Sequence, residues 1–257
     1  MLLSQKGAVF NYSNSRDANA TFNFERDERI TTTLWHSDVS YELQPPGLTT
    51  FFLLSQPSTG GDTLFTSQVS TLKRLSPQFV AFLRTLKAVH SGVEQAQYSR
   101  TGRRGGIVRR EPVENVHPVV RKHPVTGEEA LYVNRQFTRH IVGLKREESG
   151  ESRLPRLVRV EENRMPHPDN ILNFLFDHID KSGDNQTRVK WTPYTVVLWD
   201  NRVTAHVSHG GALPKLDLIP LTKSAIVDYG ESMERRHGVR ITPQGERPIP
   251  ASIDIIL

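Results

Sequence analysis

Two copies of His-x-Asp are the residues best able to hold a metal ion: His36-Ser37-Asp38 and His178-Ile179-Asp180. The first lies in TLWHSDVSY, a run of strand type, where residues two apart face the same side and can grip one ion. The second closes an apolar helical run. There a separation of two turns side chains about 200° apart, so this copy is expected to serve packing only. A mononuclear non-haem Fe(II) centre takes two histidines and one carboxylate on one face of the ion, leaving the other positions for cosubstrate and O2. One more histidine is needed. His117 and His123 adjoin prolines, His140 sits in a polar stretch, and His167 and His209 fall in segments that suit neither neighbour. His206, closing TVVLWDNRVTAH, is the best placed, although a single histidine at a strand end is more often packed or exposed than ligating.

The composition narrows the chemistry further. The chain has 257 residues and no cysteine, so it has no disulfide framework, thiol nucleophile or thiolate metal site, and a metal must use His, Asp or Glu. That points to a reducing compartment. The apolar stretch of MLLSQKGAVF is too short for a signal sequence, and no run approaches the ~18 apolar residues of a membrane span. A cytoplasmic location with no membrane contact is expected. The net charge of +5 comes from scattered Lys and Arg with no aromatic-interleaved basic stripe, so nucleic acid is not an expected partner and small anions suit the balance equally well.

The elements that must position these residues are mainly β. Short runs rich in Val, Thr and aromatics predict strands over 34–41, 49–54, 63–67, 130–134, 188–191, 195–199, 224–229 and 239–242, as in an all-β sandwich or barrel. Residues 1–30 are polar and weakly periodic. Two flanking helices interrupt the strands. Ser76-Pro77 is an N-cap followed by proline, and Phe79, Phe82, Leu83 and Leu86 then form a core-facing stripe. The run 170–179 is apolar on nearly every side and should be well buried.

Three segments, taken in order, carry a resemblance. WHSDVSYELQPPGLTTFFLL with GGDTLF, then HPVTGEEALYVNRQFTRHIVGL, then VVLWDNRVTAH with RRHGVRITP are similar to the taurine/alpha-ketoglutarate dioxygenase (TauD/TfdA-like) family, especially its fungal sulfonate dioxygenase branch. The similarity runs from about Thr31 to Pro248. It implies a double-stranded β-helix, a jelly-roll of cupin type, with Fe(II) on His36, Asp38 and His206. It further implies that Thr63 and Arg236 bind 2-oxoglutarate and that Arg240 holds the sulfonate of the substrate, with Asn134 and Phe137 as further substrate contacts. The implied reaction hydroxylates an alkylsulfonate such as taurine, using O2 and giving sulfite, an aldehyde, succinate and CO2. The types fit: a guanidinium offers a planar fork to a carboxylate or a sulfonate. Asp200, Asn201 and Arg202 either orient the distal histidine or cap the strand end. Oligomeric state is not legible, and a homo-oligomer stays open.

Three departures from the family pattern qualify the single domain expected over 1–257. Only 35 residues precede His36, which predicts that part of the family domain and of its substrate pocket is missing. Residues 150–168 and 207–223 read as insertions; the second begins directly after His206, and its removal would join TAH to SAIVDYG. Both have starts compatible with a splice donor, as translated introns would. Two other readings therefore stay open. One is an inactive or misfolded product of a faulty gene model. The other is a non-enzymatic jelly-roll binding anions or nucleic acid, suggested by the charge and by SRTGRRGGIVRR, a basic loop that is either solvated or a lid over an anionic site.

Overall fold

The computed structural model describes residues 7–13, 35–56, 61–100, 108, 110–145, 171–208 and 237–251. In chain order the strands are β1 (Gly7–Ser13), β2 (Leu48–Ser55), β3 (Thr63–Ser67), β4 (Lys87–Ser91), β5 (Glu114–Pro118), β6 (Val120–Lys122), β7 (Glu129–Leu131), β8 (Thr138–Ile141), β9 (Gln186–Val189), β10 (Val196–Asp200), β11 (Thr204–Ser208), β12 (His237–Pro243) and β13 (Ile249–Pro250). The helices are α1 (Gln68–Lys73), α2 (Pro77–Arg84), α3 (Val93–Arg100) and α4 (Ile171–Asp180). The expected mainly-β chain with flanking helices is what folds.

Alternation does most of the positioning. In β2, Thr49, Phe51 and Leu53 point inward while Leu48 and Leu54 are exposed, the period-two pattern of a sheet with one wet face. β2 sits in a four-stranded antiparallel sheet of order β1-β12-β2-β10, and a second sheet has the order β11-β3-β9. Phe51, Leu53, Trp191 and Trp199 are buried, with Phe65 of β3 and Val189 of β9 packed against them, so this small aromatic core lies between the two sheets. Two further three-stranded sheets, β5-β4-β8 and β13-β6-β7, complete the β structure. A larger core covers them: Leu72 of α1, Leu83 of α2 and Leu172, Leu175, Phe176 and Ile179 of α4 pack with Ala88, Val119, Val120, Leu131 and Ile141.

The caps match expectation at α2, where the Ser76 hydroxyl accepts from the Phe79 N–H and Pro77 opens the helix. Burial is narrower than expected. Leu83 is inside, Phe82 is exposed, and Leu86 lies past the helix end. Residue 170 lies outside the described residues, and α4 buries one face rather than its whole circumference: Phe174 is exposed and stacks on His178. No helix among the described residues is long and apolar enough to cross a membrane.

Two expectations fail for a physical reason. Within the run 34–41, the described residues 35–41 form no strand: His36 forms a single bridge to His206, and a turn begins at Asp38, with Val39 at a φ of 41°. Composition suited a strand, but hydrogen bonds to the β10–β11 turn bend the chain away. Conversely, Gly7–Ser13 is a full strand against β12, although its short polar and aromatic run carried no clear period. Val207 and Ser208, assigned above to an insertion, continue β11 in register with Leu64 and Thr63. The rest of that segment, the segment 150–168 and the expected strand 224–229 lie outside the described residues.

β12 reaches the sheet through a bulge between His237 and Gly238. A Cβ at Gly238 would overlap the Phe51 ring and come within 2.8 Å of Leu53 Cδ2. Gly238→Ala must therefore displace the aromatic core, and the expected result is a loss of about 1–3 kcal/mol, read from a chemical melt. An unchanged midpoint would show that β12 can shift freely.

Candidate metal centre

His36, Asp38 and His206 converge: one ligand atom from each lies within 4.8 Å of the other two. The backbone explains how. The His36 N–H donates to the His206 carbonyl at 3.0 Å, and the His206 N–H returns a bond to His36 at 2.8 Å. Two ligands are thus paired across one bridge, and the turn after Ser37 brings Asp38 to the same point. Both imidazole Nε2 atoms lie 3.9 Å from Asp38 Oδ1. The spacing argument expected His36 and Asp38 on one face of a strand; a bridge and a turn, not a strand, bring them together.

The donor set fits a divalent cation. Asp38 and His206 are buried, and Asp38 Oδ2 and His206 Nδ1 have no hydrogen-bond partner. Burial drives the His206 pKa down to about 3, helped by His36 and Arg240 and opposed by Asp38, so the ring is neutral with a lone pair to give. Burial would raise the Asp38 carboxyl, but Arg240, His206 and His36 outweigh it and hold the group ionised. Two imidazoles and a carboxylate are oxygen- and nitrogen-donor chemistry suited to iron among other transition metals. Aromatic rings wall the site: Trp199 and Phe65 lie 5.0 and 5.8 Å from the His206 ring, and Phe137 meets His36 edge-on at 6.0 Å.

The other expected site residues are distributed as follows. Arg240 of β12 donates directly to Asp38 Oδ1, closer to the metal ligands than its expected role at the far end of a substrate requires. Thr63 is buried on β3, and its hydroxyl accepts from the Trp191 indole at 2.9 Å. Arg236 lies outside the described residues. Phe137 is in the wall, whereas the Asn134 side chain is committed to the protein: it donates to Ser40 Oγ and accepts from the Phe137 N–H. Asp200 does not orient His206. It accepts from Arg202 and bonds His123 at 2.9 Å, tying the β10–β11 turn to the β6–β7 hairpin. His178 meets the Thr71 carbonyl and Asp180 pairs with Arg135, the packing roles expected of the second His-x-Asp.

A buried polar layer behind the ligands was not anticipated, because its members are far apart in sequence and carry no motif. His90 Nδ1 bonds Ser40 Oγ, the ring stacks on Tyr132, and His117 Nε2 bonds the Glu42 carbonyl, so two histidines brace the turn that follows Asp38. Burial lowers His117 to about 4. Protonation then favours the unfolded chain, so this stability is present above pH 6.5 and is lost as pH falls toward 4. His117→Gln keeps a donor for Glu42 but cannot titrate. The stability of the wild type relative to this variant is expected to fall by roughly 3 kcal/mol between pH 7 and pH 4. Parallel pH profiles in urea melts would exclude His117 as the titrating group.

Known proteins resemble this chain in sequence and in fold. The chain is 43% identical over 223 residues to an alpha-ketoglutarate-dependent sulfonate dioxygenase of Saccharomyces cerevisiae, covering 87% of this chain and 45% of that one. It spans about half the length of the curated relatives it matches. Among solved structures it is similar to a taurine dioxygenase from Burkholderia xenovorans, at TM-score 0.61 and 26% identity, covering 94% of this chain and 66% of that one. The fold is also that of AAD-2, solved with Mn(II) and N-oxalylglycine, at TM-score 0.62 and 21% identity over 93% of this chain and 75% of that one. The family model described as taurine catabolism dioxygenase TauD, TfdA family matches residues 4–208, starting well before the motifs at Thr31 and ending at the last residue of β11. The chain belongs to the TauD/TfdA family.

Proposed function

We propose that this chain is the jelly-roll core of an Fe(II)- and 2-oxoglutarate-dependent dioxygenase that hydroxylates an alkylsulfonate such as taurine at the carbon bearing sulfur. The products are sulfite, an aldehyde, succinate and CO2. One observation carries the reading: His36, Asp38 and His206 gather their ligand atoms within 4.8 Å, with Asp38 and His206 buried and Asp38 Oδ2 and His206 Nδ1 unsatisfied. Iron held there supplies oxygen activation coupled to decarboxylation of 2-oxoglutarate.

The chain's own residues bind and orient. Asp38 supplies the negative charge of the ligand set, and His36 and His206 supply imidazole nitrogens. Thr63 is assigned to the cosubstrate carboxylate: Trp191 occupies an acceptor position of its hydroxyl, which leaves the O–H proton to donate. Arg236 is assigned to the other carboxylate of 2-oxoglutarate. Arg240 brings a positive charge to the edge of the centre and is assigned to the sulfonate, whose tetrahedral anion suits a guanidinium fork. Phe137, Phe65 and Trp199 exclude water from the reacting carbon, and Asn134 holds the turn carrying Phe137.

The test is an anaerobic titration of the protein with Fe(II) and 2-oxoglutarate, followed by O2 and a panel of sulfonates. A weak visible charge-transfer band, then sulfite and succinate in equal amounts from taurine or another alkylsulfonate, is the expected result. A folded sample without the band would sink the dioxygenase reading. Succinate without sulfite from every sulfonate would move the substrate to another class of anion.

A further inference from the structure

We infer that Asn201 is a positioning residue for the carboxylate ligand, its side-chain amide standing in for a missing peptide group in the ladder that joins the two halves of the metal centre. The segment 36–38 runs beside the end of β11 as a short antiparallel pair. Its rungs are the two backbone bonds between His36 and His206, followed by the Ser37 hydroxyl donating to the Thr204 carbonyl at 3.0 Å. Beyond Ser37 the pair cannot continue, because the chain turns at Asp38 and β11 gives way to the β10–β11 turn. Asn201, in that turn and fully buried, closes the gap. Its Oδ1 accepts from the Asp38 N–H at 2.7 Å, and its Nδ2 donates to the Asp38 carbonyl at 3.2 Å.

A primary amide is the one neutral side-chain group that offers a carbonyl and an N–H pair in the geometry of a peptide, so asparagine can grip both backbone groups of one residue. Its remaining N–H donates to the Pro46 carbonyl at 3.2 Å, and its own backbone N–H donates to the Gly47 carbonyl at 2.8 Å. The amide is therefore fixed from both sides and transmits the position of the β10–β11 turn, which leads into the strand carrying His206, to Asp38. Of the three residues DNR that precede the distal histidine, the one aimed at the centre serves the opposite ligand. The spacing of a carboxylate from an imidazole sets whether one ion can meet both, so an error in the Asp38 backbone is felt in metal affinity.

The inference rests on the metal reading proposed above, and its test separates the two. Mn(II) is titrated into the full chain and free Mn(II) is read by electron paramagnetic resonance, with thermal melts of the metal-free proteins alongside. Asn201→Ala and Asn201→Ser are compared with Leu175→Ala, a core truncation in α4 remote from the ligands. The expected result is a 10- to 100-fold weaker Mn(II) dissociation constant in both Asn201 variants. Leu175→Ala is expected to lower the melting temperature at least as much and leave Mn(II) affinity within twofold. Wild type that binds no Mn(II) would overturn the metal reading itself. Wild type that binds, with Asn201 variants within twofold of it, overturns only this inference. So does a loss of affinity in Leu175→Ala equal to that in the Asn201 variants. Failure of both Asn201 variants to fold also counts against it, because the amide would then serve the fold rather than the ligand.

Discussion

Asp38→Ala is expected to abolish metal binding and with it all turnover, the largest effect of any single change in this chain. Asp38 is the only anion in the ligand set, and it is buried beside Arg240. Its removal leaves two imidazoles and a guanidinium facing the position of a dication. Loss of a partner that merely orients a ligand costs 10- to 100-fold in affinity, so loss of the charged ligand itself must exceed roughly 100-fold. The metal-free protein should suffer too. Taking one member from a buried ion pair costs about 3–5 kcal/mol, because the other charge is left without its counterion. Replacing both, as in Asp38→Ala with Arg240→Met, is expected to recover most of that loss in a urea melt while Mn(II) binding stays absent. A single variant that binds Mn(II) like the wild type would remove Asp38 from the ligand set.

The second large effect is at Arg240 and separates two roles for one guanidinium. In the structure it pairs with Asp38; in the proposed reaction it anchors the sulfonate. Arg240→Gln removes the cation that competes with a metal for the Asp38 carboxylate, so Mn(II) affinity is expected to hold or improve. The substrate loses a charge-assisted contact of about 1.5–3 kcal/mol, which converts to roughly 10- to 150-fold in KM for the sulfonate. Arg240→Lys should fall between, keeping charge but losing the planar fork. If Arg240→Gln instead lost Mn(II) while KM for the sulfonate held, the arginine would be a support of the centre and not an anchor of substrate.

Much of the site was legible because its chemistry is compressed into short strings. His36 and Asp38 share one tripeptide, and the position of His206 follows from the aromatic strand ending at Trp199 and Asp200. The conformation that joins them was not legible. TLWHSDVSY has strand composition, but its hydrogen-bond partners sit on a turn more than 160 positions away, and Asn201 and Thr204 decide that the chain bends at Asp38. The same limit hid β1, whose pairing with β12 is set by the register of another strand rather than by its own pattern. It also hid the layer of His90, His117 and Tyr132, where burial depends on three sequence-distant elements meeting. Asn134 shows the converse: a polar residue near the site whose amide is used by its own turn.

The bridge between His36 and His206 also governs when the centre can come into being. Ser37 and Thr204 are 167 positions apart, so the rungs that align the candidate ligands close a long loop. Contacts of such separation form only after intervening elements have condensed, and proteins dominated by them fold slowly. A partly folded chain holds the two ligands of one tripeptide but not the third, and has little hold on a metal. On the proposed metal reading, capture of the ion is thus a late event that follows completion of folding, and through mass action it withdraws finished molecules from the unfolding equilibrium.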